Sequence, residues 1–199
     1  MTDFFDVVLA QRACRDFADT PVDDKTVGRV LEAATHAPSA ENSQPWVFVV
    51  VRERAALDRI YDLTEAAWLG GAREHAAKRL GELNLAQVDH AMVGGGYRNA
   101  PVAVVVAADT QRCHPATVGS SVFPAVQNVL LAANALGLGS ALTTITTHFG
   151  PELTDLLSLP KHVVPQGVFP IGFPARPLGP PRREPLPAKT HCERFGTPW

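Results

Sequence analysis

The chain has 199 residues, of which 46% are hydrophobic and 19% charged, with a formal net charge of −2. That composition is globular, and the length suits a single domain over 1–199 that buries roughly 70% of its unfolded surface. No block of Lys or Arg occurs, and the longest apolar runs, 47–51 and 102–108, are too short to span a bilayer, so neither nucleic acid nor membrane is an expected partner.

The start of the chain, Met1-Thr2-Asp3-Phe4-Phe5-Asp6, is acidic and lacks the basic flank of a signal peptide. Cys14, Cys113 and Cys192 form no CxxC pair, which fits a reducing cytoplasm and argues against a disulfide scaffold or thiolate metal site. Seven histidines stand without i, i+2 or i+4 pairing, so no metal is expected.

Residues 3–14 have helical period, with Thr2 as cap and Phe4, Phe5, Val8 and Leu9 towards the core. If the helix continues, Arg12 and Arg15 share one face and can meet one phosphate or one electron-rich ring edge; the alternative is a pair of solvated arginines at a helix end. A second helix follows Pro21, with Asp23 as cap and Val27, Val30, Leu31 and Ala34 as its buried stripe. Pro38 stops it.

The stretch Ala37-Pro38-Ser39-Ala40-Glu41-Asn42-Ser43-Gln44-Pro45-Trp46 then links that helix to an apolar β-branched strand, 47–51. Its two prolines restrict the residues before them and present Ser39, Asn42 and Gln44 as fixed hydrogen-bonding groups beside a Trp. Such a loop can grip a flat polar heterocycle, or simply connect two elements.

Residues 53–69 form a helix on Leu57, Ile60, Tyr61, Thr64 and Trp68; Gly70-Gly71 interrupts it and 72–85 resumes it. The segment 61–98 reads as a helical excursion, a lid over a site or partner. Its Gly94-Gly95-Gly96 is no dinucleotide fingerprint, because the strand comes after it, at 102–108. A long apolar helix over 119–136 is central and buried, with Pro124 in its first turns and Gly137 as its stop. Strands at 140–145 and 167–173 flank a short helix at 151–159. From Pro174 onwards the Pro- and Arg-rich tail 174–199 has no core of its own and wraps over another surface.

Three stretches resemble the nitroreductase family of FMN-dependent NAD(P)H oxidoreductases. They are Arg12-Ala13-Cys14-Arg15-Asp16-Phe17, the loop from Ala37 to Trp46, and Ala132-Ala133-Asn134-Ala135-Leu136-Gly137-Leu138-Gly139 taken with Pro170-Ile171-Gly172-Phe173-Pro174. The resemblance implies an α+β nitroreductase-like fold: a central mixed or antiparallel sheet flanked by helices, in a homodimer with exchanged tails and FMN at the interface. It implies cofactor contacts from Arg12, Ala13, Cys14 and Arg15, with Arg12 on the phosphate and Arg15 near the pyrimidine side. It places Pro38, Ser39, Ala40 and Asn42 of the neighbouring subunit, together with Gln44, on the flavin, and Thr143, Thr144 and Ile145 near its reactive centre. Arg182 and Arg183 close on the phosphate.

The implied reaction takes hydride from NADH or NADPH to a small-molecule acceptor, a nitroaromatic or quinone, by a ping-pong route. No side chain is an obligatory acid or base. Other uses of the fold are flavin destruction, dehalogenation, heterocycle oxidation and non-catalytic flavin carriage or sensing. Two departures matter: Ala13 stands where the family usually has serine, which removes a hydroxyl donor to the phosphate, and Gln11 stands before Arg12 where a second basic residue is frequent. FMN is therefore expected to be held more weakly unless the tail arginines compensate.

Overall fold

The computed structural model describes residues 3–199. Its centre is a four-stranded sheet of β1 (Trp46–Val51), β2 (Val102–Asp109), β3 (Gly139–Ser140) and β4 (Val163–Gly172), in the order β1-β2-β4-β3. Every neighbouring pair is antiparallel. β2 is the middle of the molecule, with Val102 to Ala108 all fully buried. Its period of two sorts side chains between two cores. Val102, Val104, Val106 and Ala108 pack with helices α2 (Asp24–Thr35) and α6 (Val118–Ala135). Ala103 and Val105 pack on the other face with Leu57, Ile60 and Tyr61 of α3 (Arg54–Ala67) and with Leu153 of α7 (Gly150–Leu156).

α2 follows its sequence pattern: Asp23 caps it, accepting from the Thr26 amide at 2.6 Å, and Val27, Val30 and Ala34 are buried. α6 also matches, with Val122, Val126, Val129 and Ala133 buried. Pro124 is the seventh residue of α6, past the first turn, so the helix forgoes one backbone hydrogen bond there. By length and hydropathy Pro115–Ala135 is apolar enough to cross a membrane, unlike the shorter runs noticed in the sequence, yet here it supplies core side chains against the sheet.

Several expectations need correction. The first helix, α1, covers only Phe4–Ala10; its cap is Asp3, whose carboxylate accepts from the Phe5 amide at 2.8 Å, while Thr2 lies outside the described residues. Gln11 is extended, because the chain leaves the helix to pair with the sheet: Ala13 bridges Ser140, and the Cys14 amide donates to the Ser140 carbonyl at 2.9 Å. Arg12 and Arg15 therefore do not share a helix face. Phe4, Phe5, Val8 and Leu9 point out of the fold, Leu9 and Phe5 at 69% exposure. The apolar stripe is present, but it faces away from the core.

The expected strand 140–145 shrinks to Gly139–Ser140 plus a bridge from Thr143 to Val168, after which Ile145–Phe149 coils as a 3₁₀ turn. The resumed helix at 72–85 is two helices, α4 (Arg73–Ala77) and α5 (Glu82–Met92), entered through a π-turn at Trp68–Ala72 where Gly71 takes φ +131°. The last strand is longer than expected and begins at Val163. Beyond β4 the chain is mostly exposed, ending in a small hook where His191 bridges Pro198.

Candidate functional site

The segment 12–17 is an extended rib rather than a helix end. Cys14 and Ser140 tie it to β3; Phe17 bridges Pro174, and the Ala175 amide donates to the Asp16 carbonyl at 3.1 Å. Between those ties every third side chain turns inward. Cys14 and Phe17 enter the core, while Arg12, Ala13, Arg15 and Asp16 line a cavity of about 580 Å³. The facing wall is α5, through Gln87 and His90, and the third wall is the tail, Arg176 to Gly179.

Among the described residues none of Arg12, Arg15 and Arg176 is paired with a carboxylate. Asp16, the one acid on the wall, lies 3.7 Å from the His90 ring instead. Arg12 donates to the Gly179 carbonyl at 3.0 Å, which holds the tail across the opening. Beneath Arg15 lies Tyr97, whose hydroxyl is pushed up to about 12 by burial, with the Arg15 cation opposing that shift. Guanidinium groups left without counter-ions in a concave site suit a phosphate, which they hold through paired N–H donors. The phosphate end of a flavin mononucleotide fits this donor set.

The other sequence-predicted residues lie elsewhere. Cys14 is fully buried, and its thiol donates to the Asp16 carbonyl at 3.1 Å; burial pushes the thiol's pKa up, so it is a packed hydrophobe facing away from the cavity. The loop from Pro38 to Gln44 leans on α6, where the Ala40 amide donates to the Ser121 hydroxyl at 3.1 Å. Ser39 accepts from the Gln44 amide at 3.0 Å, and the Gln44 side chain donates to the Asn42 side chain at 3.1 Å. Glu41, Asn42 and Gln44 all have positive φ, between 48° and 55°. A run of strained non-glycine residues persists only where its surroundings over-determine it.

Thr143 is buried in its bridge, Thr144 is exposed, and Ile145 lines a second cavity of about 550 Å³. Trp68, Gly71, Phe149, His75 and Arg79 share that cavity. Arg182 and Arg183 are exposed and do not line the arginine cavity; the Arg183 guanidinium donates to the Arg182 carbonyl. Within one chain the predicted set is thus spread over the rib cavity, the core beneath it, the loop on α6, the stretch 143–145 and the exposed tail. Sequence reasoning missed Arg176 and His90. Arg176 was visible in the tail composition without any spacing to mark it, and His90 carries no sequence signal.

The helical segment 61–98 is pinned by charge. The Asp89 carboxylate on α5 receives a two-pronged bond from Arg73, both contacts at 2.8 Å, and a third from the buried Trp68 indole at 2.9 Å. Arg98 ties the end of the excursion back to Asp62 and Glu65 of α3.

A helical α+β molecule with a rigid loop–strand junction and an anion-seeking cavity on an edge rib defines a class, and comparison with known proteins gives it a family. The family model of the nitroreductases matches residues 8–173, and the chain belongs to the nitroreductase family. It is therefore an oxidoreductase.

It is 32% identical over 190 residues to an NADH dehydrogenase of Thermus thermophilus, covering 89% of this chain and 90% of that one. It is 33% identical over 175 residues to 5,6-dimethylbenzimidazole synthase of Rhodospirillum rubrum, covering 82% and 78%. A solved structure from Desulfovibrio desulfuricans, described as a nitroreductase in complex with FMN, superimposes with TM-score 0.72 at 27% identity over 98% of this chain and 99% of that one.

Proposed function

We propose that this chain binds FMN, with the phosphate among the arginines of the rib, and carries reducing equivalents from NADH or NADPH to a small electrophile such as a nitroaromatic or quinone. The observation that carries the reading is the meeting of Arg12 and Arg15 in one cavity with no carboxylate paired to either. FMN, when bound, supplies the hydride chemistry at its ring. The chain's own residues bind and orient. Arg12 neutralises the phosphate. Arg15, the next cation along the rib, sets a positive field at the pyrimidine side and favours the more negative, reduced cofactor. Tyr97 lies buried beneath Arg15. The apolar cavity beside Ile145 gives room for an acceptor ring, with Arg79 and His75 on its wall.

The working unit in this reading is a cytoplasmic homodimer. The exposed face of Phe4, Phe5, Val8 and Leu9 packs on a second copy. That copy's loop, carrying Pro38, Ser39, Ala40 and Asn42, completes the flavin site. The lid over 61–98 and the tail over 174–199 keep the roles expected of them.

The test is spectroscopic. Purified protein is expected to show flavin absorbance that NADH or NADPH bleaches without oxygen and that a quinone restores, with sedimentation at twice the chain mass. Bound flavin bleached by neither donor would refute the reductase reading and leave a carrier. The identity to the Rhodospirillum synthase favours a second reading, in which reduced flavin is consumed by oxygen. That reading predicts a flavin-derived product in aerobic turnover, detected by mass spectrometry.

A further inference from the structure

The loop from Pro38 to Gln44 carries a backbone that its residues do not favour. Glu41, Asn42 and Gln44 take φ of 55°, 52° and 48°, a region that side chains enter at a cost. Three bonds close the loop on itself. The Gln44 amide donates to the Ser39 hydroxyl, the Asn42 amide to the Ser39 carbonyl and the Ser43 amide to the Ala40 carbonyl. Two more staple it to the segment that leads from β2 into α6. The Arg112 guanidinium donates through Nε to the Ser43 carbonyl at 3.0 Å. The Ala40 amide donates at 3.1 Å to the hydroxyl of Ser121, a fully buried residue of α6. Glu41 and Asn42 lie between these two staples.

Arg112 is itself set by the end of β2. The Asp109 amide donates to the Pro45 carbonyl at 2.7 Å, and the Arg112 amide to the Asp109 carbonyl at 3.2 Å. A chain of bonds thus leaves the loop at Pro45 and returns to it at Ser43. Among the described residues Arg112 is paired with no carboxylate, so this carbonyl is the partner its guanidinium has. From this geometry we infer that Arg112 and Ser121 are positioning residues of the flavin site, which hold the loop in its strained shape before the cofactor arrives. The inference rests on the reading of that loop as a flavin contact. Both residues act through the loop's backbone rather than on the cofactor. A loop fixed in advance has little freedom left to lose on binding, which strengthens the complex without adding a contact.

The experiment measures dissociation constants of FMN and of riboflavin, which lacks the phosphate, by flavin fluorescence on the full chain stripped of cofactor. Arg112→Gln and Ser121→Ala are each expected to weaken both ligands about three- to tenfold, the loss of one hydrogen bond. Both ligands weaken because the loop meets the flavin, whereas Arg12 meets the phosphate. Thr110→Val removes a bond of the same connection, to the His162 carbonyl at 2.9 Å, that does not reach the loop. It is expected to stay within about twofold of the parent. Glu41→Gly supplies the rescue, because glycine takes positive φ without strain. Added to Arg112→Gln, it is expected to bring both affinities back within about twofold of the parent. A merely structural loss at Arg112 would not be relieved by a change at exposed Glu41. The inference is overturned if Arg112→Gln or Ser121→Ala leaves both affinities unchanged, or weakens FMN alone. It is equally overturned if Thr110→Val loses as much, or if Glu41→Gly recovers nothing. A parent chain that binds neither ligand takes the flavin reading down and the inference with it. A parent that binds FMN while the staple variants match it sinks the inference alone.

Discussion

Gly96→Ala tests whether the helical segment 61–98 and the arginine rib are one mechanical unit. A methyl group at Gly96 would lie well inside van der Waals contact of the Arg15 carbonyl oxygen, and 3.1 Å from both Ala91 Cα and the His90 ring. Something must yield by about an ångström, in an interior that packs like a molecular crystal. Neither side is free to do so. The rib is held on one flank by Cys14 on Ser140 and on the other by Ala175 on Asp16. Gly96 itself donates to the His90 carbonyl at 3.0 Å, and Tyr97 to the Ala91 carbonyl at 3.1 Å.

Overpacking of this kind costs about 1–3 kcal/mol. The stiffer unfolded chain returns about 0.4–1 kcal/mol, which leaves a net loss of roughly 1–2 kcal/mol. For a chain of this size that is a fall in Tm of about 2–8 °C. The assay is thermal unfolding followed by circular dichroism, with Gly28→Ala alongside. Gly28 lies inside α2 with nothing within 4 Å of an added methyl, so that variant is expected to gain about 0.5–1 kcal/mol. A Gly96→Ala protein as stable as the parent would refute the coupling, and so would unchanged FMN affinity in a destabilised one.

Two further outcomes follow from side-chain polar contacts. Thr64 donates to the Ile60 carbonyl at 2.8 Å, which leaves its oxygen to accept from the Thr146 hydroxyl at 2.8 Å, both residues being buried. Thr64→Val strands a donor and is expected to cost about 1–3 kcal/mol in urea unfolding; Thr146→Val strands none and should cost visibly less. Equal costs would contradict that hydrogen direction. Asp89 is held below the usual carboxylate range chiefly by its bond to Arg73. A carboxylate depressed on folding stabilises above its unfolded value, near 3.8, and loses that contribution as pH falls through the folded one. Trp68 emission should therefore be flat from neutral pH to about pH 5 and change only below about pH 4. An Asp89→Asn variant retaining the same acid step would sink the assignment.

Much of this architecture was legible because single elements carried their own signals. α2 declared its cap and stripe, and β2 its seven-residue apolar run. The motifs at 12–17 and 37–46 located the rib and the rigid loop. What failed was direction and partnership. The stripe of α1 gives the same helical period whether it faces this chain's core or the outside, so the period does not reveal that Phe4, Phe5 and Leu9 are exposed. Thr143 to Ile145 is β-branched like a strand, but no neighbour pairs with it beyond Thr143, and pairing is what makes a strand. Arg15 stayed on the candidate surface even though its helix did not exist, because the extended rib aims it at the same cavity by another route. Arg176 and His90 join that surface through tertiary placement alone, which no local spacing encodes.

The π-turn at Trp68–Ala72 joins α3 to α4 across a kink, with Gly71 outside the helical region at φ +131°. Removing a single residue at Gly70 or Gly71 would let α3 and α4 run on as one rod, and each residue after the deletion would swing by about 100° around the axis. Arg73 would leave Asp89, and the cavity wall carrying His75 and Arg79 would be exchanged for another. The lining of that cavity is thus written partly in the number of residues before it. A lineage could reach a new lining there by counting, without substituting any of its residues.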